Sequence, residues 1–163
     1  MKILSFDPGG TTGWCLCSFS SDIPEAAPAL LQVGEHSGDH KNMLKWLNYI
    51  FMNYATPDVK VVCEAYRIYP SMARDHINSD VPTLRLIGAI ELLCCQFGLS
   101  ITLQMASDAK QLTPDSRLKS LGLYQTSNRH ANDSIRHVLL FIRRYASVRR
   151  AKAAQTGSIS ISS

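Results

Sequence analysis

The chain has 163 residues, enough for one α/β domain with a sizeable core, and its 45% hydrophobic content is ordinary for a globular protein. No stretch offers the ~18 uninterrupted apolar residues of a membrane span, and the N-terminus enters a strand without the charged head and apolar run of a signal peptide, so the expectation is a cytoplasmic protein. The formal net charge of +4 is unevenly spread: residues 117–163 hold nine Lys/Arg against one acid, residues 1–116 eight against twelve, a distribution that suits a polyanionic partner and equally a solubilising helix and tail.

In chain order, Lys2–Asp7 reads as a short buried strand and Asp7-Pro-Gly-Gly-Thr-Thr-Gly13 as a tight turn. Trp14–Phe19 and Leu30–Glu35 read as two further strands, completing an antiparallel meander across a polar, proline-containing loop at 20–28. Met43, Leu44, Leu47, Ile50, Phe51 and Tyr54 fall at helical spacing over 40–54. Val59–Cys63 is a second buried strand, ending at Glu64, and 65–81 a mobile or functional loop. A helix over 82–97 has Pro82 near its start and Gly98 after its end. Leu99–Leu103 is a further buried strand, 107–112 and 114–121 are short helices, and 129–147 is a final amphipathic helix. The domain therefore spans 1–148, and 149–163 reads as a basic, then Ser-rich, disordered tail. The order β-β-β-α-β-α-β-α predicts an α/β fold, a mixed five-stranded sheet flanked by helices, with the strands starting at Lys2, Val59 and Leu99 parallel.

Five cysteines, an odd number without paired spacings, argue against a disulfide framework or a zinc site and read as small buried hydrophobes.

Three acids stand at special places. Asp7 and Glu64 end strands predicted to be adjacent and parallel, so their carboxylates lie roughly 5 Å apart and repel unless a cation or proton intervenes. Asp133 follows His130 by three residues early in the last helix, so both project from one face. Arg129, Asn132, Arg136 and Arg143 are expected to mark the solvent side of that helix. Clustered carboxylates bind hard cations such as Mg²⁺, and two such ions can drive phosphodiester hydrolysis. Singly, each residue also fits an ordinary role: a turn-forming Asp, a solvated Glu, a capping pair.

Taken together they resemble the RuvC family of Holliday-junction resolvases, especially its small phage-type members. Ile3-Leu-Ser-Phe-Asp7-Pro-Gly-Gly-Thr-Thr-Gly13 is similar to the family's first motif, Val61-Val-Cys-Glu64 to the second, and His130-Ala-Asn-Asp133-Ser to the third, His-x-x-Asp-Ala, over roughly residues 2–145. The resemblance implies a ribonuclease H-like fold and a homodimer cutting branched DNA such as four-way junctions, in a bacterial or phage-infected cell. It further implies two Mg²⁺ ions, with Mn²⁺ as a substitute, held by Asp7, Glu64 and Asp133, with His130 as fourth ligand or water-positioning group. The chain departs from the family where a wedge phenylalanine follows the second motif: here stand Tyr66 and Tyr69, flanked by Arg67 and Arg74. A Pro-x-x-Val-Lys segment becomes Ala106-Ser-Asp-Ala-Lys110. Lys110, Arg117, Lys119 and Arg136 are expected to contact phosphates.

Two other classes of function share some of these features. An actin-like nucleotide-binding lobe also opens on a strand and an Asp-x-Gly-x-Thr turn, but needs a second lobe and a second Gly-rich turn that this length does not hold. A mere nucleic-acid-binding domain has no need of crowded carboxylates. A related nuclease acting on flaps, forks or RNA keeps the chemistry and changes the substrate.

Overall fold

The computed structural model describes residues 1–20, 27–67 and 81–157. Five strands, β1 (Lys2–Asp7), β2 (Thr11–Ser18), β3 (Ala29–Ser37), β4 (Val59–Ala65) and β5 (Ile101–Met105), form one sheet in the order β3-β2-β1-β4-β5. β1, β2 and β3 pair antiparallel, whereas β1 with β4 and β4 with β5 pair parallel. The predicted mixed sheet is therefore the observed one. Helices α1 (His40–Tyr54) and α2 (Pro82–Gln96) cover one face. Short helices α3 (Ala106–Leu112) and α4 (Asp115–Ser120) and the long α5 (Arg129–Gly157) lie on the other side.

Alternation along the strands divides the core in two. Leu4 and Phe6 of β1, with Val61 and Cys63 of β4, pack against Leu47, Ile50 and Phe51 of α1 and Leu86, Ile90 and Cys94 of α2. Ile3 and Val62, with Cys15 and Cys17 of β2, face the opposite way onto Ile135, Val138 and Ile142 of α5. Each fully buried aliphatic side chain of that α5 stripe contributes roughly 1.5–3 kcal/mol, which fixes the helix against the sheet. By the same alternation Asp7 follows Ile3, and Glu64 follows Val62, on the α5 side at the carboxyl ends of their strands.

Local signals set the boundaries. Asp39 caps α1, its carboxylate accepting from the Asn42 amide at 2.8 Å. Gly98, at φ +65°, ends α2, and the Leu99 amide still bonds back to the Cys94 carbonyl at 2.8 Å. That capping bond is why β5 begins at Ile101 and not at Leu99. β2 begins earlier than the sequence predicts: Thr11–Gly13 belong to the strand, with Gly13 opposite Asp7, so the turn is only Pro8-Gly9-Gly10. α5 also runs past the predicted end at 147 to Gly157, and the expected tail beyond it, 158–163, lies outside the described residues. Arg149, Arg150, Ala151, Lys152, Ala153 and Ala154 are strong helix formers with no Gly or Pro to stop them before Gly157. All five cysteines are free, four of them buried and Cys95 exposed. No helix among the described residues is long and apolar enough to cross a membrane.

Candidate active site

α5 begins directly over the β1–β2 hairpin, and two features bring it there. Gly13 supplies the space: a Cβ at this position would stand 2.0 Å from the His130 carbonyl oxygen. Glu35 of β3 supplies the anchor, one carboxylate oxygen accepting from the backbone amides of His130 at 2.6 Å and Ala131 at 3.3 Å. A carboxylate on the first free amides of a helix both satisfies them and complements the helix dipole.

The consequence is a polar cluster at the carboxyl end of the parallel strands. His130 Nδ1 lies 3.0 Å from Asp7 Oδ2. Asp7, His130 and Asp133 each offer one ligand atom, all within 4.8 Å of one another, a candidate metal-binding group. Asp7 and Asp133 are largely enclosed while the His130 ring is half-exposed. Glu64 follows Cys63, whose pair across the parallel ladder is Phe6, the residue before Asp7. It lies beside the three and is not a member of the tight group. Burial, above all, pushes the Asp7 carboxyl up to about 6, and the Glu64 and Asp133 carboxylates push it the same way against the opposing hydrogen bond from His130.

Asp133 is held from its other side. Arg136 pairs with its Oδ1, donates from Nε to the Thr113 carbonyl at 2.9 Å, and pairs with Asp115. Lys110 Nζ lies 3.5 Å from Asp133 Oδ2. This corrects the expectation for Arg136 and Asn132, both placed on the solvent side by the sequence reading. Both are buried. Arg136 spends its guanidinium on two acids and a carbonyl, and Asn132 exchanges hydrogen bonds of 2.8 Å with the Gln125 backbone, so neither presents a phosphate-binding surface.

The other basic candidates are dispersed. Lys110 is exposed beside a cleft of about 420 Å³ that reaches Asp133 and is bordered by Tyr124, Gln125 and Arg129. Lys119 stands over the Tyr124 ring, 4.8 Å from its centroid. Arg117 lines a separate groove with Arg143 and Arg150 along α5. Tyr66 packs against the α1–α2 core and Arg67 is exposed. Tyr69 and Arg74 lie outside the described residues.

The sequence reading missed His137. Buried in α5, it places Nε2 3.0 Å from Glu64 Oε2 and Nδ1 3.0 Å from Gln104 Oε1. The signal was present: His130, Asp133 and His137 follow the i, i+3, i+7 spacing of one helical stripe. Glu35, 95 residues from the amide it binds, had no local signal.

Comparison with known proteins fits this geometry. No protein-family model matches the sequence, and no curated protein matches it. Solved structures do. The chain is similar to Thermus thermophilus RuvC, with 14% identity and a TM-score of 0.67 over 93% of this chain and 97% of that one. It is also similar to T. thermophilus RuvC in complex with a Holliday junction substrate, with 13% identity and a TM-score of 0.64 over 86% and 91%. A Fowlpox virus resolvase complexed with its substrate Holliday junction DNA matches at 14% identity and a TM-score of 0.58, over 91% and 98%. The fold is thus ribonuclease H-like, an α/β architecture with a five-stranded mixed sheet flanked by helices. Within that class it is the fold of RuvC and the poxvirus resolvase.

Proposed function

We propose that the chain is a divalent-metal-dependent endodeoxyribonuclease that cleaves branched DNA and resolves Holliday junctions. The observation that carries this reading is the Asp7–His130–Asp133 cluster, with Glu64 beside it, at the carboxyl end of the central strands of a RuvC-type fold. Asp7, Glu64, Asp133 and His130 are the proposed ligands and catalytic groups. They fit a hard cation: oxygen and imidazole donors converge, and a carboxyl whose proton is held to about pH 6 by burial and by neighbouring carboxylates is one that an added positive charge would relieve. Two Mg²⁺ ions, replaceable by Mn²⁺, would supply Lewis-acid activation of a water and charge for the leaving oxygen.

The chain's own groups do the positioning. His130 orients Asp7 through Nδ1, and its exposed ring leaves the second nitrogen for a ligand or a water. Arg136 fixes Asp133 from behind, and Lys110 offers a positive charge at the open side of the cluster where a phosphate would enter. Arg67, Arg74, Lys110, Arg117 and Lys119 are the proposed backbone contacts, and Tyr69 the proposed wedge at the branch point. A four-way junction has two symmetric strands to cut, which suits a two-fold homodimer. Exposed Leu84 and Leu92 on α2 and Leu103 on the edge strand β5 support an interface there. Light scattering at tens of micromolar, with and without DNA, should give twice the chain mass, and a monomer in both would remove the dimer from the scheme.

Incubation of an end-labelled four-way junction with the protein tests the chemistry. Nicking with Mg²⁺ or Mn²⁺, abolished by EDTA, is the expected result. Cutting that persists in EDTA, or no cutting with either metal, would contradict it, and cutting of flaps, forks or RNA in preference to junctions would keep the chemistry and change the substrate.

A further inference from the structure

Behind Glu64, one of the proposed metal ligands, stand two further polar side chains, Gln104 and His137. Glu64 on β4 and Gln104 on β5 are direct register partners on adjacent strands, so their side chains stand roughly 5 Å apart on the same side of the sheet. His137 of α5 lies over both, its ring 1% exposed, with Nε2 3.0 Å from Glu64 Oε2 and Nδ1 3.0 Å from Gln104 Oε1. We propose that His137 is a positioning residue that fixes the Glu64 carboxylate for cation binding, with Gln104 setting the orientation of the imidazole. This rests on the reading of Glu64 as a metal ligand.

The hydrogen-bonding inventory leaves little choice of direction. A carboxylate only accepts, so the ring nitrogen facing Glu64 must carry the proton. The Gln104 amide can turn either its oxygen or its nitrogen to Nδ1. With the oxygen toward the ring, both imidazole nitrogens donate, and Gln104 Nε2 is left buried with no partner. With the nitrogen toward the ring, Gln104 donates to Nδ1 and the neutral imidazole carries its proton on Nε2. In both arrangements Nε2–H donates to Glu64 Oε2. The imidazole thereby takes one carboxylate oxygen and leaves the other for a cation. The carboxylate loses its freedom to rotate, which is the part played by groups behind metal ligands in general.

The position also follows from the helix. Seven residues separate His130 from His137, about 10.5 Å along α5, and the stripe through Asp133 crosses the strand ends from Asp7 on β1 to Glu64 and Gln104 on β4 and β5. One helix face therefore carries both a group above Asp7 and the group that holds Glu64. A histidine kept only for packing would gain nothing from meeting two polar side chains at such depth, and an aliphatic side chain would fill the space without their desolvation.

The test uses the full-length protein and three variants, His137→Gln, His137→Asn and His137→Leu. A glutamine places an N–H close to the position of Nε2, and an asparagine close to that of Nδ1. Leucine keeps bulk only. Mn²⁺ binding is read by calorimetry without DNA, kcat and KM on a labelled four-way junction, and folding by thermal melts. His137→Asn and His137→Leu should bind Mn²⁺ on the order of tenfold more weakly and lose a similar factor in kcat with KM for the junction unchanged. His137→Gln should stay within about threefold of wild type, because it restores the donor to Glu64. Equal losses in all three variants would assign His137 to packing and overturn the proposal, as would wild-type Mn²⁺ affinity in His137→Leu. A wild-type protein that neither binds Mn²⁺ nor cuts would sink the nuclease reading and this proposal with it. A wild type that does both, matched by His137→Leu, would sink the His137 assignment alone.

Discussion

Replacing Asp7 by asparagine should abolish cutting and, without metal, make the protein more stable. The carboxyl is buried beside Glu64 and Asp133, and its pKa rises from 3.8 to about 6 on folding. The folded protein thus holds the Asp7 proton more tightly than the unfolded chain. That advantage is complete below about pH 4 and is lost as the pH rises through 6, so ionised Asp7 costs roughly 3 kcal/mol at pH 8. Only a tenth of the side chain is exposed, so solvent screening reduces this little. Asparagine keeps the shape and carries no charge. In EDTA, Asp7→Asn should therefore melt above wild type at pH 8 by roughly 6–12 °C, given about 2–4 °C per kcal/mol for a chain of this size. The gap should narrow toward pH 4, where wild-type Asp7 is protonated as well. Adding Mn²⁺ should raise the melting temperature of wild type and not of the variant. Scanning fluorimetry across pH 4–8, with EDTA or Mn²⁺, reads all of this. A gap independent of pH, or an asparagine variant that melts below wild type at pH 8, would refute the electrostatic reasoning.

Further expectations concern the groups around the cluster. Gly13→Ala should lower stability by roughly 2 kcal/mol or more and abolish cutting, because its Cβ would stand 2.0 Å from the His130 carbonyl oxygen and the start of α5 must move; melts and junction cleavage check both, and an active, stable variant would contradict the packing. Arg136→Met leaves the buried Asp133 without its guanidinium and should cost about 3–5 kcal/mol in chemical denaturation, whereas a surface arginine would cost almost nothing. Lys110→Ala should preserve the fold, weaken junction binding, and reduce the slope of log K against log salt by roughly one; an unchanged slope would remove Lys110 from the phosphate contacts.

Much of the site was legible because its signals are local. A hydrophobic strand ending in Asp7 before Pro-Gly-Gly, a second ending in Glu64, and a His-x-x-Asp at the start of an amphipathic helix each mark an element and its end, and the element order then aligns those ends along one edge. What escaped depends on contacts distant in sequence. Arg136 reads as solvent-facing until α3 and α4 bring the Thr113 carbonyl and Asp115 over it. Glu35 reads as a polar strand end until α5 arrives with two free amides. His137 shares a stripe with His130 and Asp133, but its partners lie on β4 and β5, and only the sheet register sets Gln104 beside Glu64. α5 extends beyond 147 for a different reason: a basic, alanine-rich run is as good a helix as it is a solvated tail.

The central claim, that these residues form a metal-dependent junction resolvase, is tested most directly by mapping cuts on a four-way junction labelled in turn on each strand, beside flap, linear duplex and RNA–DNA hybrid of matching sequence. With Mg²⁺, wild type should nick two opposing strands of the junction at symmetric positions, leave the duplex intact, and yield ligatable linear products, while Asp7→Asn, Glu64→Gln and Asp133→Asn should each be inactive yet still bind the junction. Nicks on a single strand or equal cutting of linear duplex would contradict junction resolution, and wild-type cutting by any of the three variants would contradict the site itself.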